Sequence, residues 1–295
     1  MTIVLNKSGI LSESGSLAAP ARHPANVTAE LTFISPSAAR PVLISSAVTG
    51  GAPDERFGTE RHAVRVEDMR SLAGALSLDH EGFELHRAPT AVADLYDDAA
   101  VERTYHAETE ALLRRVTGAS RVVIFDATRR SDAAGGAANR DGSRGPAGRV
   151  HVDYTARSGP KRLADLVGAD EARRLAATGV RAAQINVWRP IRGPVRRSPL
   201  ALADASTVRP QHLVATDQIF PDRVGEIYHL RHDPSQRWYH APLMTADEVL
   251  LIKGWDSLED GRARFTPHSA FALADTTAAT PARESIELRA YVIFA

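Results

Sequence analysis

The sequence predicts a mainly β domain with flanking α, of the sandwich, jelly-roll or barrel kind. Three observations carry that expectation. From residue 181 onward almost every segment is a short apolar or alternating run bounded by turn residues. Amphipathic helical patterning is clearest at residues 101–116, with two short stretches after Ser158. No internal repeat is present, which sets solenoids and propellers aside.

Taken in order, residues 1–30 are rich in Ser, Ala and Pro, and read as a loosely ordered arm before a single domain, 31–295. Short strands are expected at 31–33 and 40–45, turn residues only at 50–58, and a strand at 62–66. A short helix near 68–77 and a strand at 83–85 follow. Residues 101–116 place Val101, Tyr105, Leu112, Leu113 and Val116 near one face, with Gly118 as the stop, and so predict a helix. Arg121-Val-Val-Ile-Phe125 reads as a buried strand. Residues 129–149, dense in Gly, Ala, Asp and Arg, predict a flexible loop, either a lid or a tolerated insertion. Ser158 and Pro160 open a helix carrying Leu163, Leu166 and Val167, and a second runs over 170–177. The β half then comprises 181–188, 211–216, 226–231, 237–241, 248–253, 262–271 and 283–294, with a hairpin turn at 232–236.

Composition excludes several function classes. With no cysteine, disulfide frameworks, thiolate zinc sites, iron–sulfur clusters and thiol nucleophiles are ruled out. The 36 basic and 36 acidic residues cancel, and no basic stripe is visible, which disfavours a nucleic-acid partner. Lysine occurs only at Lys7, Lys161 and Lys253, so arginine supplies nearly all the positive charge; Lys253 reads as a surface or edge residue. The N-terminus shows no signal-peptide pattern and no apolar run is long enough for a bilayer, so a soluble, cytoplasmic protein without a membrane partner is expected.

The chemistry centres on His151-Val152-Asp153. Strand side chains alternate, so an H-x-D triplet in extended backbone sends both side chains to one face. An imidazole and a carboxylate there supply two of the three ligands of an open non-haem iron site. A third ligand belongs on another strand. His268, in Thr266-Pro-His-Ser-Ala-Phe271, is one candidate; His229, His232 and His240 are others, and His229 and His240 would face each other across the expected hairpin. Further on, Arg283, Ser285, Glu287 and Arg289 share one face of a strand whose other face carries Ile286 and Leu288. That polar stripe is either a solvent face or an interior grip, with an arginine holding a carboxylate in a forked, bidentate way. Gln184, Asn186 and Trp188 share a face that could line such a pocket. Trp188 and Trp238 could equally be core aromatics, while Arg189, before Pro190, would reach outward.

The order H-x-D, distant His, then R-x-S resembles the iron(II)/2-oxoglutarate-dependent dioxygenases. A set of longer blocks resembles the branch that holds AsaB-like and gibberellin GA4 desaturase-like proteins and the cephamycin 7α-methoxylation component. Those blocks are Val116-Thr-Gly-Ala-Ser-Arg121 with Ile124-Phe-Asp126, Arg149-Val-His-Val-Asp153, Ile185-Asn-Val-Trp-Arg-Pro-Ile-Arg-Gly-Pro194 and Arg237-Trp-Tyr239. Met244-Thr-Ala-Asp-Glu-Val-Leu-Leu-Ile-Lys253, Asp256-Ser257, Arg264-Phe-Thr-Pro-His268 and Arg283-Glu-Ser-Ile-Glu287 complete them. The resemblance implies a double-stranded β-helix (jelly roll, cupin-like) core. It also implies iron on His151, Asp153 and His268, and 2-oxoglutarate held by Arg283 and Ser285, with Arg289 ranked second. Asn186, Trp188 and Arg189 would border the substrate. The implied reaction uses O2 to hydroxylate or desaturate an unactivated C–H position of a small molecule, in secondary metabolism, with succinate as co-product. Three alternatives stand beside it: a cupin-like metal-dependent hydrolase or isomerase, a methyltransferase-type role, and a non-catalytic partner of another enzyme. Substrate identity and oligomeric state are left open.

Overall fold

The computed structural model describes residues 26–50, 53–72, 74–140 and 142–294. Two sheets face each other. The smaller has five antiparallel strands in the order Phe83–Arg87, Glu248–Asp256, Arg181–Pro190, Glu284–Phe294 and Arg121–Ser131. The larger has ten, in the order Val27–Ile34, Thr59–Asp68, Trp238–His240, Leu200–Ala203, His268–Ala270, His151–Val152, Val224–Leu230, Leu213–Ile219, Val42–Ile44 and Asp54–Arg56. The sheets form a double-stranded β-helix, so the mainly β expectation holds.

Apolar patterning explains the stacking. Strand Arg181–Pro190 is buried at nearly every position because both faces of its sheet are covered. On the outer face, Ala183, Ile185, Val187, Leu251 and Val292 pack on Leu112 and Leu113 of the helix His106–Thr117. On the inner face, Trp188, Leu250 and Ile252 meet Leu202 and Tyr239 of the larger sheet. Helices Ser158–Val167 and Ala169–Ala177 close one end against Trp255, Tyr291 and Ile293. The expected helix at 101–116 begins earlier. Asp97 caps it by accepting from the Ala99 and Ala100 amides, one wider turn follows at Val101–Tyr105, and Gly118 ends it at φ 73°.

Several expectations need correction. Residues 129–149 are not one flexible loop. The strand expected to stop at Phe125 continues to Ser131, and Ala137–Asn139 pairs with Gly142–Arg144 in a small hairpin. Backbone pairing with the neighbouring strand orders what composition alone marks as loose. The strands flanking 232–236 do not form a hairpin: Val224–Leu230 pairs with Leu213–Ile219 and His151–Val152, whereas Trp238–His240 pairs with Leu200–Ala203 and Thr59–Asp68. The strand Leu200–Ala203 and the short strand Asp54–Arg56 went unforeseen, and the strand expected over 262–271 is only His268–Ala270. The helix after Asp153 is capped by Thr155 rather than Ser158; the Ser158 amide donates to Thr155 Oγ1, and Ser158 Oγ accepts from the Thr155 amide. Of the expected N-terminal arm, residues 1–25 lie outside the described residues, and a strand starts at Val27.

Candidate functional site

His151 and His268 are direct partners on adjacent antiparallel strands of the larger sheet, with ring centroids 4.6 Å apart. Asp153 follows His151 in a bend just past the strand end. His151 Nε2 lies 3.7 Å from Asp153 Oδ1, and one nitrogen or oxygen from each of His151, Asp153 and His268 falls within 4.8 Å of the others. Among the described residues, this is the group of three such side chains that could hold a metal ion.

Hydrogen bonds fix how each group presents itself. His151 Nδ1–H donates to the Arg149 carbonyl at 2.8 Å, and His268 Nδ1–H to the Thr266 carbonyl at 3.0 Å. A carbonyl only accepts, so both rings carry a proton on Nδ1 and leave Nε2 as the nitrogen free to face a ligand. Burial, then the neighbouring His268, lowers the His151 pKa to about 3, keeping the imidazole neutral and able to ligate. Asp153 Oδ2 accepts from Asn186 Nδ2 at 2.6 Å and from Arg289 Nε at 3.0 Å, leaving Oδ1 toward the histidines. Burial works against its ionisation, but Arg289 and the charges around it hold the carboxyl well below the usual range. The Asn186 amide is held in turn, its Oδ1 accepting from Gln184 Nε2 at 2.5 Å.

The smaller sheet supplies the opposite wall through a ladder of polar rungs. Across three adjacent strands, Asp126 lies opposite Arg289, which lies opposite Asn186. Thr128, Glu287 and Trp188 make the next rung, and Arg130 with Ser285 the one after. Arg289 is fully engaged with carboxylates: Asp153, Asp126 and, at 2.7 Å, Glu287. Arg283 is different. It is 2% exposed, its Nη1 donates to the Ser198 carbonyl at 3.0 Å, and its Nε and Nη2 have no hydrogen-bond partner among the described residues. Asp132 fixes its backbone, accepting from the Arg283 amide at 2.7 Å while also gripping Ser198 and Arg197. Burial and the nearby Arg130 lower the Arg283 pKa to about 10, so it stays charged at neutral pH. Arg283, Arg130, Glu287 and Arg289 share one cavity with His151 and His268, its apolar wall being Ala147, Trp188 and Leu200. An orphaned buried guanidinium beside an open two-His, one-carboxylate set fits an iron ion and a dicarboxylate.

The sequence-expected residues sort cleanly. His151, His268, Arg283, Arg289 and Trp188 converge at the cavity, with Asp153 beside His151, and Trp188 is also a core residue of the inner layer. Ser285 borders Arg130, its hydroxyl 3.4 Å from that residue's carbonyl. Asn186 touches Asp153 rather than the cavity. Arg189 is a correction. Its odd position in the strand points it to the outer face, where it is 2% exposed and donates to Tyr105 Oη and to the Ala88 and Ala246 carbonyls. Of the competing histidines, His229 turns to Thr216 Oγ1, His232 stacks on His62, and His240 packs edge-on to Phe271. Lys253 is not at the surface: it is 1% exposed, with Nζ bonded to Asp79 and Asp256. Reasoning from the sequence missed Asp126, Thr128 and Arg130, although the same every-other-residue polarity that marked 283–289 is present there.

Comparison with known proteins follows this geometry. Residues 31–293 match a family model described as "Oxidoreductase/YMDC permease-like domain". No helix among the described residues is long and apolar enough to cross a membrane. The hydroxylase/desaturase efuI of Hormonema carpetanum is 36% identical over 274 residues, which cover 83% of this chain and 90% of that protein. The Fe(II)/2-oxoglutarate-dependent dioxygenase nvfI of Aspergillus novofumigatus is 30% identical over 273 residues, 89% of this chain and 95% of that one. A solved structure of the iron and alpha-ketoglutarate-dependent endoperoxidase NvfI superposes with a TM-score of 0.79 at 28% identity, covering 92% of this chain and all of that one.

Proposed function

The chain belongs to the hydroxylase/desaturase group of iron(II)/2-oxoglutarate-dependent dioxygenases, and from that premise we propose that His151, Asp153 and His268 hold its iron, that Arg283 anchors 2-oxoglutarate, and that it hydroxylates or desaturates a C–H position of a small molecule of secondary metabolism. When bound, iron(II) with 2-oxoglutarate and O2 supplies the oxidising chemistry of the class, in which 2-oxoglutarate leaves as succinate and carbon dioxide. One observation supports the assignment of residues: the buried Arg283 guanidinium, with Nε and Nη2 unpartnered, opens onto the same cavity as His151 and His268.

The protein's own work is positioning. The Arg149 and Thr266 carbonyls orient the two imidazoles, and Asn186 with Arg289 holds one oxygen of Asp153 so that the other is presented. Arg283 offers Nε and Nη2 as a planar fork matched to a carboxylate, with Ser285 at the adjacent rung. Arg289, already paired with three acids, is reassigned from co-substrate contact to the support of Asp153. Trp188, Leu200 and Ala147 give the cavity its apolar wall.

Anaerobic addition of iron(II) and 2-oxoglutarate, followed by the weak visible metal-to-ligand charge-transfer band, tests this. The band should form in the native protein and vanish in His151→Ala and Asp153→Ala. Arg283→Ala should weaken 2-oxoglutarate binding by about tenfold or more, on the scale of a lost charge-assisted contact. Loss of the band in His229→Ala but not in His151→Ala would sink the ligand set.

A further inference from the structure

Two guanidinium groups face the site cavity without a carboxylate partner, whereas 2-oxoglutarate has one carboxylate to offer them once its keto-acid end is at the metal. Arg289 needs no further anion, since Asp153, Asp126 and Glu287 already surround it. Arg283 lies deeper than Arg130 and presents a complete open fork, which makes it the better seat for the distal carboxylate. Arg130 is then left over. It stands on the edge strand of the smaller sheet, opposite Ser285, and lines the cavity together with His151 and His268. Its guanidinium makes one hydrogen bond, from Nη1 to the Gly145 carbonyl at 2.9 Å, and a neutral carbonyl does not balance its charge. Burial lowers its pKa against the pull of Glu287. A part-buried cation that lines a cavity is favoured where an anion meets it.

We propose that Arg130 is the anchor for a carboxylate on the substrate, so that this enzyme oxidises an organic acid rather than a neutral molecule. The placement suits that role. Arg130, His151 and His268 border one small cavity, so an acid held at Arg130 keeps its neighbouring carbons close to the His151–His268 edge. Trp188 and Leu200 supply an apolar surface for the body of the molecule. Gly145 belongs to the connection between the small hairpin ending at Arg144 and His151, so the contact that orients Arg130 comes from the segment bordering the site. The inference rests on the reading that Arg283 holds 2-oxoglutarate.

The test uses protein loaded with Mn(II) and saturating 2-oxoglutarate under argon, titrated calorimetrically with benzoate and, separately, with methyl benzoate. Benzoate should bind at least about tenfold more tightly than the ester, the scale of one charge-assisted contact. Arg130→Gln should erase that preference while 2-oxoglutarate affinity, measured first, stays within about twofold of native, a change too small for a lost charge-assisted contact. Arg283→Gln should do the reverse in the first titration. Equal affinity for benzoate and its ester in the native protein overturns the proposal without needing any variant to fold. So does an Arg130→Gln protein that keeps the preference, or one that loses 2-oxoglutarate as severely as Arg283→Gln. An Arg283→Gln protein with native 2-oxoglutarate affinity removes the premise itself, and does so before any benzoate is added.

Discussion

At the residue scale the site is a division of labour among polar groups that look alike in the sequence. Arg283 and Arg289 occupy one strand face, yet one guanidinium is open and the other is closed by three acids. Replacing Asn186 by Ala or Arg289 by Gln should therefore act on the metal rather than on 2-oxoglutarate. Mn(II) affinity read by calorimetry should fall by about 10–100-fold, the usual cost of losing an outer partner of a ligand. A pH effect belongs here too. Burial, then Arg149, lowers the His229 pKa from its ordinary 6.5 to about 3. The unfolded chain thus takes up a proton near pH 6.5 that the folded chain refuses until about pH 3, so stability falls as the pH drops through that window. Urea midpoints between pH 6.5 and about 5, above the carboxylate range, should fall less steeply in His229→Gln than in the native protein. The residues legible beforehand were those on strands whose alternation was intact. Arg130, Thr128 and Asp126 were hidden because a glycine- and arginine-rich composition next to them read as loop. Arg189 was misplaced because its proline neighbour was weighed and its strand parity was not.

At the element scale the helix Ser158–Val167 is seated by a glycine. A methyl group on Gly159 would run into the Trp255 indole ring, and the Gly159 carbonyl accepts from Tyr291 Oη at 2.7 Å. Gly159→Ala should lower unfolding free energy by about 1–3 kcal/mol through overpacking, measured by denaturant titration. An unchanged midpoint would mean that the helix can lift without cost. Gly254 plays a related part in the strand Glu248–Asp256: the register shifts there, and a side chain at that point would overlap the Gln184 amide that steadies Asn186. Helices were readable from capping and periodicity. Strand partners were not, because apolar alternation tells which face is buried but not which strand lies alongside. That is why 226–231 and 237–241, neighbours in sequence with a turn between them, were joined as a hairpin when each pairs elsewhere.

At the scale of the whole molecule, the cavity is closed from both sides. The larger sheet brings His151 and His268, and the smaller brings Trp188, Arg130, Glu287 and Arg289, with Arg283 just before one of its strands. Ligands that touch both sheets stabilise the folded chain by mass action. Thermal unfolding should therefore rise in two steps, with Mn(II) alone and again with 2-oxoglutarate, and Arg283→Ala should keep the first step and lose the second. The jelly-roll class was visible in the density of short strands after residue 181, and the fold's outer cover in the helix ending at Gly118. The facing of the two sheets, which makes the cavity, is a long-range property that no local pattern encodes.

The pairing of His151 with His268 across adjacent strands has a consequence for how the protein is made. More than a hundred residues separate the two, so a chain that has not yet placed His268 offers iron only the His151–Asp153 pair of the proposed ligand set. Loosely held ferrous iron generates damaging radicals. A centre that exists only when the last strands have docked couples the acquisition of that hazard to the completion of the shell that contains it.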